Sequence, residues 1–329
     1  MGYLHRITRP LLFRLNPERA HALALRVARH GGGLAGRVLG GKRVDGLERT
    51  VAGIRFPNPL GVAAGMDKNG VGLRFWSAAG FGFAELGTVT PRAQTGNDKP
   101  RMWRLPPQRA LVNHLGFPNA GAAAVAERVR RTRRPGDVVG LNLGKNRDTA
   151  LEDAADDYVA TLQATADVAD YFAVNVSSPN TPELRRLQTR PYLQELLGKV
   201  REAAEGKPVF VKLSPDLDEA GLHEAAETVR DAGCAGLIAT NTTLNKPEGC
   251  DLQGGLSGRP LAGRAAEVLG ILRAVLGREF PIISVGGIDT PEEARARLEA
   301  GADLIQLYTG LVYEGPGLAN RILRGLKSR

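Results

Sequence analysis

Three hydroxyls, two amides and two prolines fall within Asn175-Val176-Ser177-Ser178-Pro179-Asn180-Thr181-Pro182, into which the apolar run Tyr171 to Val176 leads. The run reads as a buried strand. The prolines stop it, because proline has no N–H to donate to a ladder. Polar side chains fixed at a strand end can grip a small ligand, and the same composition also makes an ordinary turn. Asn113, Asn142 and Asn241 extend the set that begins with Asn175 and Asn180. An amide offers both a donor and an acceptor, so converging amides suit a planar ring of alternating C=O and N–H, such as a pyrimidine or a flavin.

Two lysines sit where apolar runs end. Lys68 closes Ala64-Gly65-Met66-Asp67-Lys68, and Lys212 lies within Val209–Leu213. A lysine so placed meets an anion, either on a ligand or on a neighbour such as Asp67. Gly286-Gly287 and Tyr308-Thr309-Gly310 end two further runs with free backbone N–H groups, which suit a phosphate. A phosphate there, with a planar body reaching the amides, would suit FMN. No Ser/His/Asp set is visible. His5, His21, His30 and His223 fall on predicted helices as exposed or locally paired residues, and His114 alone adjoins the polar set. The two cysteines, Cys234 and Cys250, have no metal spacing and make no disulfide framework.

These residues need a scaffold that brings distant segments together. Apolar runs recur at Leu60–Ala64, Phe83–Val89, Val138–Leu143, Phe172–Val176, Val209–Leu213, Gly236–Thr240, Ile282–Val285 and Leu304–Leu307. Helical patterns follow them at Gly70–Ala79, Ala120–Arg133, Leu151–Asp167, Pro191–Ala204, Glu219–Ala232, Ala262–Leu276, Pro291–Ala300 and Gly317–Leu326. Eight strand–helix units in this length match an α/β fold of the (β/α)8 TIM-barrel type, with a doubly wound sheet as the alternative. In such a barrel the loops after the strands carry the chemistry, and a phosphate sits after strands seven and eight. The polar residues named above fall on those loops.

The chain has 329 residues and a net charge of +9. Residues 1–43 hold nine Lys/Arg (Arg6, Arg9, Arg14, Arg19, Arg26, Arg29, Arg37, Lys42 and Arg43) against one acid, Glu18, so nearly all the excess charge lies there. Tyr3, Leu4, Ile7, Leu11, Leu12 and Leu15 are spaced as one helical face, which Pro10 would kink or restart. A second helix is expected from Asn16 as cap and Pro17 in the first turn, through Ala20 to Ala28, stopping at Gly31-Gly32-Gly33. The division expected is an amphipathic cap over 1–43 and a barrel over 44–329. A basic, half-apolar cap favours an anionic membrane surface, though simple packing on the body gives the same pattern. No run spans a bilayer and no signal peptide is visible, which points to a cytoplasmic protein.

The motifs AAGMDKNG, GTVTPRAQTGNDKPR, NHLGF, NLGKN, NVSSPNTP, VKLSPD, ATNTT, GGLSGRPL, VGGI and QLYTG together resemble those of the quinone-dependent, class 2 dihydroorotate dehydrogenases, over essentially the whole chain. The resemblance implies an FMN enzyme of de novo pyrimidine synthesis. Such an enzyme oxidises (S)-dihydroorotate to orotate and passes electrons to a membrane quinone from the cytoplasmic face of the membrane, as a peripheral protein and a monomer. It implies Ser178 as the base that takes the C5 proton while hydride leaves C6. It implies that Lys68, Asn113, His114, Leu115, Gly116, Phe117, Asn175, Asn180, Asn241 and Thr242 hold the substrate. FMN would be held by Ala64, Gly65, Met66, Asp67, Lys68, Thr88, Asn142, Asn175, Lys212, Thr240, Gly258, Gly287, Tyr308 and Thr309. No metal is implied. His114 stands where these bacterial enzymes carry Arg, and Met66 where they carry Leu. The resemblance further implies that removing residues 1–43 separates dihydroorotate oxidation from quinone reduction. A rival reading, the tRNA dihydrouridine synthases, are also basic FMN barrels, but they need a cysteine acid beside the flavin. Cys234 precedes strand six, at the opposite end from the loops, and Cys250 lacks the motif. No nucleic-acid partner is therefore expected.

Overall fold

The computed structural model describes residues 3–40, 44–181 and 183–328, with side chains from Thr8 onward. The expected parts played by the side chains of Tyr3, Leu4, His5, Arg6 and Ile7, and by Lys42, Arg43 and Pro182, lie outside the described residues.

Eight parallel strands close into a barrel: β1 (Leu60–Val62), β2 (Phe83–Val89), β3 (Val139–Leu143), β4 (Tyr171–Asn175), β5 (Val209–Leu213), β6 (Gly236–Ala239), β7 (Ile282–Val285) and β8 (Leu304–Leu307). β8 closes on β1 with Ile305 opposite Leu60 and Leu307 opposite Val62. All eight strands are buried along their whole length. That explains why they read as continuous apolar runs and not as alternating ones. The fold is a TIM barrel; the doubly wound alternative fails on closure.

The lower half of the barrel is filled by rings. Phe83 packs edge-on against Phe56 and Tyr171, and Tyr171 packs against Phe210. Each ring needs a neighbour without a side chain. A Cβ on Gly61 would lie 2.3 Å from the Phe83 ring, one on Gly140 2.1 Å from Tyr171, and one on Gly236 2.5 Å from Phe210. Phe56 arrives on an antiparallel hairpin, Arg49–Val51 with Ile54–Phe56, that plugs the bottom.

Two N-terminal helices, α1 (Tyr3–Arg14) and α2 (Pro17–Gly40), precede those of the barrel. The barrel helices are α3 (Leu73–Ala78), α4 (Ala122–Thr132), α5 (Ala154–Thr165), α6 (Arg190–Ala203), α7 (Glu219–Asp231), α8 (Ala262–Leu276), α9 (Pro291–Glu299), a short α10 (Thr309–Glu314) and α11 (Gly317–Lys327). Their apolar stripes face the strands. α7 buries Leu222, Ala225, Ala226 and Val229, and its cap Asp218 accepts from Gly221 N at 2.8 Å.

α1 runs through Pro10 without restarting, and α2 departs further from expectation. Asn16 does cap α2, accepting from Glu18 N at 3.0 Å and Arg19 N at 3.3 Å. The helix does not stop at Gly31-Gly32-Gly33, however. It kinks at Gly32 (φ 45°, ψ −132°) and resumes to Gly40. The resumed part is held by packing on α3: a Cβ on Gly36 would lie 2.5 Å from Phe75 O, and one on Gly40 2.4 Å from Ala79 Cα. Tertiary contact overrides weak helix propensity here. The outer side of the pair exposes Leu11, Leu15, Leu23, Val27, Leu34 and Val38 among exposed Arg14, Arg19, Arg26, Arg29 and Arg37. Among the described residues no helix is long and apolar enough to cross a membrane.

Gly36→Val should push α2 off α3 and destabilise the protein by about 1–3 kcal/mol. Thermal unfolding and limited proteolysis across residues 31–44 read the change. An unaltered midpoint and cleavage pattern would mean that α2 is not held by this contact.

Candidate active site

The loops after the strands meet around one cavity at the C-terminal mouth of the barrel, enclosing about 990 Å³ of empty space up to its opening. Its floor is set by a carboxylate. Glu85, in the middle of β2, is fully buried. It accepts from Asn142 Nδ2 at 2.8 Å on β3, Gln306 Nε2 at 2.6 Å on β8 and Tyr171 OH at 3.4 Å on β4, and lies 3.6 Å from Lys212 Nζ on β5. Burial and the Glu85 charge push the Tyr171 phenol well up, so it stays a donor.

The amides stack upward from this group. With Nδ2 of Asn142 turned to Glu85, its Oδ1 accepts from Thr88 Oγ1 at 2.5 Å and from Asn175 Nδ2 at 3.1 Å. Asn175 Oδ1 in turn accepts from Asn241 Nδ2 at 3.1 Å and Ser177 Oγ at 3.2 Å. Across the mouth, Asn180 Nδ2 donates to Asn113 Oδ1 at 2.9 Å. Ser178, 4% exposed, lines the cavity, and its Oγ accepts from Asn180 N at 3.2 Å.

Asn113 reaches this position on a sheet that sequence reasoning missed. Met102–Leu105, Ala110–Asn113 and Gly255–Gly258 form three antiparallel strands over the mouth. Gly255 pairs with Asn113 and Gly258 with Ala110. The partners are more than 140 residues apart, and short runs such as GLSG carry no strand pattern of their own. The same sheet brings Ser257 Oγ to 2.8 Å from Thr309 Oγ1. Gly258 (φ +101°), Gly286 (φ +126°) and Gly287 (φ +77°) line this end in backbone conformations that favour glycine, beside Tyr308, Thr309 and Gly310.

Lys68 lines the cavity on the opposite side. Its Nζ donates to Gly65 O at 2.7 Å and not to Asp67. The Asp67 carboxylate is taken up by Val71 N, Gly72 N and Trp76 Nε1. Burial pushes Lys68 down to about 8, with Glu18 and Asp67 opposing the shift. His21 is the clear correction to the sequence reading. The helix does not leave it exposed or locally paired: its ring is turned into the seam between α2 and Met66, and its Nε2 is buried without a partner. Burial, then the Lys68 charge, push it down to about 3, so the ring is neutral. Arg104 Nε, beside Phe13, is likewise buried and unpartnered.

Most of the expected residues meet at this one cavity. Ala64, Gly65, Lys68, Thr88, Lys212, Thr240, Gly258, Gly287, Tyr308 and Thr309 line it, as do Asn113, Leu115, Gly116, Phe117, Asn175, Ser178, Asn180, Asn241 and Thr242. Met66, Asp67 and Asn142 are buried behind it. His114 faces the outside of the mouth, with Nδ1 3.4 Å from Asn180 Oδ1. Sequence reasoning passed over Glu85, Ser257, Gln306 and Ile288. For Glu85 the signal was present: a lone acid within the apolar run Phe83–Val89 mirrors the lone Lys212 in Val209–Leu213. Neither cysteine lines the cavity, and burial pushes Cys234 up to about 12.

The family model described as dihydroorotate dehydrogenase matches residues 46–329. A dihydroorotate dehydrogenase (quinone) of Alkalilimnicola ehrlichii is 46% identical over 340 residues, covering 98% of this chain and 99% of that protein. One of Clavibacter sepedonicus is 48% identical over 336 residues, covering 97% and 96%. Among solved structures, DHODH in complex with ferulenol from Eimeria tenella superposes with a TM-score of 0.87 at 32% identity, over 97% of this chain and 93% of that one.

Glu85→Leu leaves Lys212 buried without its counter-charge and should cost about 3–5 kcal/mol. Denaturant unfolding measures it, and Lys212→Met in the same chain should recover most of the loss. Additive losses in the double variant would show that the two residues do not act as a pair.

Proposed function

The chain belongs to the dihydroorotate dehydrogenase family, and on that premise we propose that it oxidises (S)-dihydroorotate to orotate and delivers the electrons to a membrane quinone. One observation carries the reading: a single cavity gathers Ser178, Lys68 and the amides of Asn113, Asn175, Asn180 and Asn241. A dihydropyrimidine ring offers that wall alternating N–H and C=O groups. Lys68 supplies the cation for its carboxylate and for charge that develops on a ring carbonyl as C5 loses its proton.

In this reading Ser178 Oγ takes the C5 proton. A serine hydroxyl is a weak base, so it must hand the proton on. Thr181 Oγ1, three residues along, is buried and unpartnered and supports a route through a water. The backbone N–H of Asn180 donates to Ser178 Oγ and fixes its direction. The mouth sheet and the loop after β4 keep bulk water from the ring.

FMN fits the rest of the cavity. Gly258, Gly287, Tyr308 and Thr309 would hold its phosphate; Ala64, Gly65, Thr88, Asn175, Lys212 and Thr240 would hold its ring, with Asn142 behind them and Met66 and Asp67 shaping the first loop. Three glycines at the phosphate end leave room for close approach, and Lys212 Nζ pairs with Glu85 on the far side. FMN, when bound, supplies the acceptor for the C6 hydride. His114 would then act at the mouth and not on the ring.

The quinone route we propose is the seam under α1 and α2, where Arg104 Nε lacks a partner beside Phe13, itself edge-on to Tyr313, and His21 Nε2 lacks one beside the Met66 loop. The residues 1–43 are a membrane-docking cap on a barrel over 44–329. Exposed Leu11, Leu34 and Val38 enter the headgroup boundary and the arginines meet anionic lipid, on the cytoplasmic face, as a peripheral monomer.

Purified protein should be yellow and bleach anaerobically with dihydroorotate. Ser178→Ala should slow the bleaching by roughly 10²- to 10⁴-fold with FMN content unchanged. A colourless chain that takes up no added FMN, or a variant that bleaches at the parental rate, contradicts the assignment. Leu11→Ser/Leu34→Ser/Val38→Ser should weaken binding to anionic liposomes about tenfold or more, since burying one such side chain contributes on the order of 1.5 kcal/mol. Bleaching by dihydroorotate should be unaffected. Parental liposome binding would mean that the patch is not the docking face.

A further inference from the structure

We propose that Glu18, on the N-terminal cap, is a positioning residue for the substrate side of the cavity, acting through Arg101 and Asn97 on the loops that carry Asn113–Phe117 and Asn180. The inference rests on the function proposed above and departs from the expectation that the cap serves only the membrane and the quinone.

The connection is a short chain of hydrogen bonds. Glu18 lies in the first turn of α2, and its carboxylate takes a fork from Arg101: Nη2 at 2.6 Å, and Nε at 3.2 and 3.3 Å. A planar guanidinium so engaged has a fixed orientation. Its remaining nitrogen, Nη1, donates to Thr95 O and Asn97 O, each at 2.6 Å. Arg101 O also accepts from His114 N at 2.8 Å, and Asn97 N donates to Leu115 O at 3.0 Å. The side chain of Asn97 then joins the two loops: Nδ2 donates to His114 O at 3.2 Å and to Asn180 O at 3.0 Å. Gly116 packs so closely on Asn97 that a Cβ there would lie 2.5 Å from its Oδ1. The Arg101 side chain is 7% exposed and that of Glu18 26%. Without Glu18, a nearly buried cation loses its carboxylate, and three of its donor contacts go unmet.

Glu18 also acts by charge. Among the described residues, four charged or titratable groups face Lys68: Glu18 and His21 from α2, Asp67 from its own loop, and Arg101 from the segment before Met102. Burial pushes Glu18 up, but Arg101 outweighs it and keeps the carboxyl below its usual value, so Glu18 is an anion. Burial has already lowered Lys68 to about 8, and Glu18 is the foremost of the groups that oppose the shift. The lysine that meets the substrate anion thus depends on a charge borne by the cap. Its cationic form is present below about 8 and is lost above it. Removing Glu18 moves that loss to lower pH.

The test uses the full-length, FMN-loaded protein and orotate as probe. Binding is read from the perturbed flavin absorption between pH 6 and 9.5, outside turnover. In the parent, affinity should fall as pH passes about 8. In Glu18→Gln that fall should move to lower pH and affinity at pH 8 should drop roughly two- to fivefold, as a lowering of half to one pKa unit does to a lysine half protonated there, at parental FMN content. Arg101→Lys keeps the cation and loses the fork, so it should weaken orotate without moving the pH at which affinity falls. Glu18→Gln with parental affinity and pH dependence overturns the inference while leaving the function proposed above intact. A parent that binds no orotate removes the functional reading itself, and this inference with it.

Discussion

Glu85 is the group on which the rest of the site depends. An ionised carboxylate can only accept hydrogen bonds, and this one is enclosed at the centre of the barrel by Lys212, Asn142, Gln306 and Tyr171. Each of those side chains must therefore turn a donor inward. For Asn142 the consequence propagates: its oxygen faces Thr88 and Asn175, the oxygen of Asn175 faces Asn241, and the polarity of the amide wall is fixed from below. A wall with defined donors and acceptors can discriminate one orientation of a planar ring from its mirror arrangement. The cost is a buried ion pair, which hydrophobic residues of the same volume would match or exceed in stability. The site keeps the pair because Lys212 opens onto the cavity.

The scaffold was legible because barrel strands are buried on both faces. β2, β5, β7 and β8 begin and end where the apolar runs do, since burial dictates most of their composition. What the sequence hid was pairing between distant segments. Neither the plug hairpin at Arg49–Phe56 nor the mouth sheet has a run long enough to show a period, yet the second places Asn113 opposite Gly255. The glycines at 31–33 read as a stop because propensity favours one, and α2 continues beyond them because Gly36 and Gly40 allow contact with α3. His21 looked like a surface residue because its helix is amphipathic. Its burial comes from the loop at Met66, which periodicity cannot see.

The cap belongs to both halves of the chemistry. Its outer face carries Leu11, Leu34 and Val38 among arginines, its inner face His21 near the first loop, and its first turn Glu18. One short helix pair thus touches the proposed membrane surface, the proposed quinone seam and, through Arg101, the loops around the substrate. In this proposal docking and substrate binding would be connected by a few hydrogen bonds and one ion pair, with no moving domain required.

The central claim is that one cavity holds orotate against the amide wall with Ser178 at C5 and the FMN phosphate between the last two loops. A crystal structure of the FMN-loaded chain with orotate tests it most directly. Ser178 Oγ should lie within about 3.5 Å of C5, the distance a reacting pair requires. The orotate carboxylate should turn toward Lys68, and the phosphate should be bound at Gly287 and Thr309. An orotate ring whose C5 faces a different side chain, or an FMN phosphate bound away from Gly287 and Thr309, would contradict it.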